Sequence, residues 1–261
     1  MDSSLWVAKT GLDAQQRRMT VVANNLANVN TTGFKRDRAV FEDLLYQTLR
    51  QPGAQMDQNS NSPTGLVLGT GTRVVATEKI HSQGNLLQTD NALDLAIDGN
   101  GFLQILRADG TIGYTRDGSL KLNNNGQLVT ANGNLLQPEV TIPNNARSIT
   151  IGKDGTVSVQ TFDQPAAQMV GNIQIANFIN PAGLQAVGGN TYVQTAASGE
   201  SQVQVPSQDG AGALVQGSLE ASNVNVVEAM VNMIETQRAY EVNSKAIAAA
   251  DGMLRFINNN L

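Results

Sequence analysis

Val226, Met233, Tyr240, Ile247, Leu254 and Leu261 fall on every seventh residue up to the last position of this chain. Leu5, Leu12, Met19 and Leu26 do the same near its start, with Ala8, Val22 and Val29 three residues behind the first, third and fourth of them. A seven-residue apolar repeat is the mark of helices that lie along one another and supercoil. The middle of the chain has no such repeat, so the pattern predicts a molecule bundled by its two ends. At about 1.5 Å per residue, 226–261 would span roughly 54 Å and 5–29 roughly 38 Å.

The apolar band at the C-terminal end is wider than one partner helix needs. Val227, Ala229, Met230, Val231 and Ile234 surround the first turns of the repeat on nearly every side. A helix apolar all round must be buried all round. An intramolecular hairpin of the two terminal helices covers only one face of each, and the surplus apolar surface then calls for further copies of the same chain. Self-assembly is therefore the favoured expectation, with a plain helical hairpin as the alternative.

Several functions are excluded early. The chain has no cysteine, which removes disulfides, thiolate metal sites and thiol nucleophiles. Its charge is uneven: residues 1–50 carry seven Lys or Arg against five Asp or Glu, and residues 51–222 carry seven against thirteen. An acidic middle with aromatics at only 4% disfavours nucleic-acid backbones and base stacking. Arg17 with Arg18, and Lys35 with Arg36 and Arg38, are expected on a solvated helix face and a loop rather than as a polybasic patch. No apolar run reaches the length of a membrane span, so direct membrane insertion is not expected. The first residues have no basic stretch leading into an apolar core and are not expected to be a cleaved secretory signal.

The central part predicts sheet. Between residues 98 and 155 lie six turn dipeptides: Asp98-Gly99, Asp109-Gly110, Asp117-Gly118, Asn125-Gly126, Asn132-Gly133 and Asp154-Gly155. Each is a candidate for a tight two-residue strand reversal, which needs positive φ. Between them Leu93, Leu95 and Ile97 alternate with other residues, as do Ile149 with Ile151 and Val157 with Val159. Further β-prone pieces stand at 173–178, 192–193 and 203–205. The fold class expected is α+β: long coiled-coil helices from both termini and a central antiparallel domain of many short strands.

Boundaries follow from punctuation. The stretch Asn28-Val29-Asn30-Thr31-Thr32-Gly33 offers left-handed positions that end a helix. Asn225, with Glu228 three residues on, has the arrangement of a capping box at the start of the C-terminal helix. The polar tract 51–63, which contains Pro52, Gly53 and Pro63, is either a disordered linker or an extended arm.

Reactive constellations are scarce. His81 is the single histidine, and a structural or surface role is expected for it. Asp94, Asp98, Asp109 and Asp117 invite comparison with calcium loops or paired glycosidase carboxylates. The last three are each followed by glycine, however, so turn geometry accounts for them. Gly69-Thr70-Gly71 lacks the third glycine of a dinucleotide loop and the lysine of a phosphate loop. No catalytic residue, metal site or cofactor is expected.

Blocks of residues along the chain resemble a known family. Ala23-Asn24-Asn25-Leu26-Ala27-Asn28-Val29 with Thr32-Gly33-Phe34-Lys35-Arg36 is similar to the N-terminal signature of the flagellar rod and hook proteins. The stretch from Asp94 to Phe102, then Tyr114-Thr115-Arg116-Asp117-Gly118 and Gly126-Gln127-Leu128-Val129-Thr130, resembles that family's central β motif. Ser222-Asn223-Val224-Asn225-Val226, continuing through Gln237-Arg238-Ala239-Tyr240 to Ala246, resembles its C-terminal signature. Within the family, the segment from Tyr46 through Leu49, Arg50 and Pro52 to Pro63 is similar to the insertion that marks distal-rod members and accompanies a straight, stiff tube. Other rod or hook members are the next reading, and an adhesin or glycan-binding β domain on a helical stalk a distant one.

The resemblance implies a division of the chain and a way of working. Residues 1–30 and 223–261 would form a discontinuous helical domain lining the inner wall of a tube. Residues 31–72 would be a connecting arm, and 73–222 a β-rich outer domain. The implied assembly residues are Leu5, Leu12, Met19, Leu26, Val226, Met230, Met233, Tyr240, Ile247 and Leu254, with Tyr46, Leu49, Arg50, Pro52 and Pro63 stiffening the tube. Implied partners are copies of the chain, proximal rod proteins, the hook protein, the surrounding peptidoglycan and outer-membrane rings, the flagellar export apparatus and the rod cap. The subunit would leave the cell interior through the export channel without a cleaved signal and act in the basal body between periplasm and outer membrane, transmitting motor torque.

Overall fold

A computed structural model describes residues 3–53, 55–57, 60–61, 64–162 and 166–259. Two helices, α1 (Ser3–Ala27) and α2 (Val226–Asn259), flank a long series of antiparallel strands, so the architecture is α+β. The chain forms two compact units. One comprises Met1–Ala27, Asp37–Glu78 and Asn225–Leu261; the other comprises Asn28–Arg36 and Lys79–Val224.

In the first unit the helices run antiparallel. The Arg18 guanidinium reaches Asn232 at 3.2 Å and Glu235 at 3.8 Å, while Gly11, nearer the start of α1, lies against Asn243, further along α2. Asn225 caps α2 as its sequence position predicts: its side-chain oxygen accepts from the N–H groups of Val227 and Glu228 at 3.0 and 3.2 Å, satisfying two donors that have no partner within the helix. The end of α1 departs from expectation. Gly33 alone in the stretch 28–33 has positive φ, and the helix closes instead through a turn in which Thr31 donates to the Asn28 carbonyl. Buried Asn25 exchanges two 2.8 Å bonds with the backbone of Asp37, which fastens α1 to the strand Asp37–Asp43. That strand pairs with Thr72–Lys79. Among the described residues no helix is long and apolar enough to cross a membrane.

The second unit is built on the strand Phe102–Leu106, which pairs with Ile112–Thr115, Leu135–Gln137 and Ile175–Asn177. Successive strand side chains point to opposite faces, and both faces of this strand are covered. Leu103 and Ile105 enter an aliphatic core with Leu95, Leu120, Val157 and Ile175, while Phe102 joins an aromatic cluster with Tyr114, Phe178 and Tyr192. A three-stranded sheet of Ala146–Ile151, Thr156–Thr161 and Gln168–Asn172 supplies Ile151, Val157 and Val159 to the aliphatic core.

Four of the six expected turn dipeptides do reverse the chain, but not as two-residue loops. At 107–111, 123–127, 130–134 and 152–156 the same pattern recurs. The first residue donates to the carbonyl of the fifth, and the glycine N–H donates back to the carbonyl of the first. Positive φ is confined to Gly110, Gly126, Gly133 and Gly155, with the preceding Asp or Asn in ordinary conformations. This is a type I turn closed by a glycine bulge, which needs one left-handed residue where the two-residue turn needs two. The other two dipeptides join strands that do not pair with each other: Leu95–Asp98 pairs with Ala213–Gln216. Gly118 is required for a different reason. The Leu95 N–H donates to its carbonyl at 3.0 Å, and a Cβ on Gly118 would run into the Leu95 carbonyl oxygen. Asp109, Asp117 and Asp154 each accept from the N–H and hydroxyl of the residue two further on, Thr111, Ser119 and Thr156. These carboxylates therefore serve turns.

Candidate functional site: an assembly surface

The helical candidates divide in the folded chain. Leu5, Leu12, Met19 and Leu26 on α1 are half-buried, as are Met233 and Ile247 on α2. Val226, Met230 and Tyr240 are exposed, at 41, 52 and 39%. The side chain of Leu254 and all of Leu261 lie outside the described residues. The line of α2 most covered within the chain runs three residues behind the apolar heptad: Ala229 and Thr236 are buried, and Asn243 and Ala250 half-buried. Three residues turn a helix by about 300°, so the bulky heptad flanks this small-residue seam rather than filling it. Small side chains let two helix axes approach closely, and larger ones then pack at the margins.

Opposite this seam the first turns of α2 are apolar and uncovered, and further along exposed Arg238, Glu241 and Lys245 take that side. Val227, Met230, Val231 and Ile234 are exposed on its first turns, and Val242, Met253 and Phe256 further on. At about 100° per residue, Val227, Val231 and Ile234 lie roughly 160° from the seam of Ala229 and Thr236, Met230, Val242 and Phe256 roughly 100° from its line, and Met253 nearer still. The first turns of α2 thus carry apolar surface on both sides, and α1 occupies one of them.

The segment expected to stiffen the assembly forms a hairpin. Tyr46–Arg50 pairs antiparallel with Leu66–Gly69, with an irregularity between Thr48 and Arg50. Tyr46, Leu49, Arg50 and Pro52 are all exposed, and Pro63 lies outside the described residues. Partners opposite one another share a face, so Tyr46 and Val67 lie on one side and Leu66 and Leu68 on the other. Every residue of both strands is exposed. A two-stranded hairpin with neither face covered is marginal in water. The Tyr46 phenol is held above its ordinary pKa, first by a hydrogen bond to the Asp43 side chain and then by that group's charge.

A buried charged cluster, which no local sequence pattern announces, lies in the second unit. Lys35, expected in a solvated loop, has no exposure at all. Its ammonium bonds Glu220 at 2.6 Å and the Ser82 carbonyl at 2.8 Å. Arg116 reaches the other Glu220 oxygen at 3.2 Å and the Gly99 carbonyl at 2.7 Å, and its guanidinium lies 5.3 Å from the Phe102 ring centre. Asn223 completes the arrangement: its side chain accepts from the Arg36 N–H and donates to the carbonyls of Ile80 and Ser82. Burial lowers the pKa of Lys35 and of Arg116, and the Glu220 charge opposes the shift in both. Lys35, Arg116 and Asn223 come from the three signatures quoted above and Glu220 lies just before the last of them, Lys35 and Glu220 being 185 positions apart. Lys35 and Arg116 inside their signatures were the only sign of the cluster. Among the described residues no group of His, Asp and Glu could hold a metal ion.

Comparison with known proteins accords with this organisation. The flagella basal body rod protein family matches residues 5–35, the flagellar hook protein FlgE/F/G D1 domain matches 96–159, and the flagellar basal body rod FlgEFG protein C-terminal family matches 215–260. Proteins described as flagellar basal-body rod protein FlgG are similar over nearly the whole chain. Those of two strains of Buchnera aphidicola, from Schizaphis graminum and Acyrthosiphon pisum, are 54 and 52% identical over 255 residues, covering 98% of each chain. That of Borreliella burgdorferi is 48% identical over 264 residues, covering 99% of this chain and 98% of its own. With three family matches in order along the chain and relatives this similar from end to end, the chain belongs to the flagellar basal-body rod protein family.

Proposed function

We propose that the chain, a structural subunit of the flagellar rod, polymerises through the uncovered face of α2, its helices packing as coiled coils with those of neighbouring copies in a tube. The observation that carries this is the apolar surface left open on the first turns of α2, opposite the seam met by α1. Residues 1–30 and 223–261 form the inner wall, 73–222 the outer wall, and 31–72 an arm whose hairpin docks on neighbours and stiffens the distal rod. Leu5, Leu12, Met19, Leu26, Met233, Tyr240 and Ile247 act at the margins of the helix pair, Val226 and Met230 toward neighbours, and Leu254 belongs to the same assembly set. The tube transmits torque to the hook and serves as an export channel, acting without catalysis. Its other contacts are proximal rod proteins, the hook protein, the peptidoglycan and outer-membrane rings, the rod cap and the export apparatus. The subunit reaches its place between periplasm and outer membrane by that export route.

Ile234→Asp tests the reading. It places a carboxylate on the open face, where the monomer tolerates it and a packed neighbour does not. The cost is several kcal/mol at each buried copy. The variant is expected to remain a folded monomer by circular dichroism and to fail to form tubes in electron micrographs. Normal tubes would reject the assignment of this face.

A further inference from the structure

The cluster around Glu220 holds two buried cations against one carboxylate. Lys35 and Arg116 share the single carboxylate of Glu220, and Arg116 Nε has no hydrogen-bond partner. His81 stands beside them. Its ring meets Phe102 and Tyr192 edge-on, both at 5.5 Å between centres, and neither of its nitrogens makes a hydrogen bond of good geometry. The same cluster ties together the segments where the chain enters and leaves this unit. Gly33 donates to the Glu220 carbonyl, Gly84 donates to the Glu220 carboxylate, and Asn223 spans Phe34, Arg36, Ile80 and Ser82.

We propose that His81 is an acid-sensitive latch for the β unit, its neutral imidazole allowing the Lys35–Glu220–Arg116 clamp to close and its protonation opening it. The charged groups acting on the ring are Lys35, Arg116 and Lys79, the first two paired with Glu220; the Tyr192 ring flanks it. A third cation in this position finds both oxygens of Glu220 already engaged and only the Pro181 backbone to accept from it.

Burial first, and then the charges of Lys35, Arg116 and Lys79, push the His81 pKa from 6.5 down to about 4, which the Pro181 backbone only slightly opposes. The sign follows. Above pH 6.5 the ring is neutral in both folded and unfolded chains and contributes no pH dependence. Between 6.5 and 4 the unfolded chain binds a proton that the folded one refuses, so stability falls with pH. At pH 5 the unfolding equilibrium constant should be raised by up to about 30-fold relative to a chain without the imidazole. Below about 4 the folded form is protonated too, and the loss levels off.

Because the chain has one histidine, its ring protons give a single set of NMR titration signals in the wild-type protein. These are expected to hold their neutral position down to pH 5. Titration near 6.5 would overturn the proposal without recourse to any variant. Urea unfolding of the full chain, followed by near-ultraviolet circular dichroism of the tyrosines at pH 7.5 and 5, provides the second measurement. His81→Phe and His81→Gln should each remove the acid loss between these values, while wild type shows it. An equal loss in wild type and in either folded variant would mean that other groups carry the pH dependence, and would overturn the latch.

Discussion

Glu220 has no exposed surface and serves two cations and a backbone N–H at once, so its removal strands Lys35 and Arg116 in a dry interior. Breaking a buried pair from one side costs about 3–5 kcal/mol, because the remaining charges lose their compensation. Glu220→Ala is expected to lower the stability of the β unit by at least that amount, whereas Glu78→Ala, which removes the exposed partner of Arg38 at 2.8 Å, should change it by less than about 1 kcal/mol. Urea midpoints of the two variants compare them directly. Equal effects would show that the clamp contributes no more than a surface pair. The residue scale is where the sequence was least legible. Lys35 reads as one of three nearby basic residues, and only the arrival of Glu220 from 185 positions away makes it a core residue.

At the scale of elements, four hairpins use one turn, and their glycines share a left-handed φ between +76° and +86°. Their surroundings differ. A Cβ on Gly110 would meet nothing within 4 Å, but on Gly126 it would strike the Ile142 carbonyl oxygen. Gly110→Ala therefore isolates the conformational cost, about 1–2 kcal/mol. Gly126→Ala adds a backbone collision and the loss of the Ile142 N–H bond to the Gly126 carbonyl at 2.7 Å. Denaturant unfolding should rank Gly126→Ala as clearly the more damaging, and similar values for the two would contradict the packing described. The positions of these turns were readable because Asn-Gly and Asp-Gly are strong local signals. Their type was not, since flanking strand register decides between a two-residue loop and a bulged one.

For the whole molecule, the arm offers a separable test. Leu44 and Gly71 are bonded N–H to carbonyl at 2.9 Å, and the Thr70 hydroxyl donates to the Leu45 carbonyl at 2.6 Å, so the chain is already closed at the base of the hairpin. Deleting residues 46–69 and joining Leu45 to Thr70 is expected to leave both units folded and tubes able to form. If the hairpin locks neighbouring copies, the filaments should bend more readily, read as a shorter persistence length in electron micrographs. Unchanged stiffness would remove the arm from the account of rigidity.

What the sequence determined by itself is what depends on local pattern: two terminal helices from apolar repeats and the Asn225 cap, an antiparallel middle from alternation and glycine turns, and the absence of cysteine chemistry. Its blocks also sufficed to indicate the family. Tertiary structure decided what depends on meeting across long separations. The seam between the helices runs through Ala229 and Thr236 rather than through Met233 and Tyr240, because a heptad fixes a period but not which of its neighbouring lines the partner helix covers. Tyr46–Arg50 became a strand because Leu66–Gly69 returned beside it. Lys35, Arg116, Glu220 and His81 became one cluster because the fold brings together segments that no local signal connects. Their charges could be buried only where the partners were already in place.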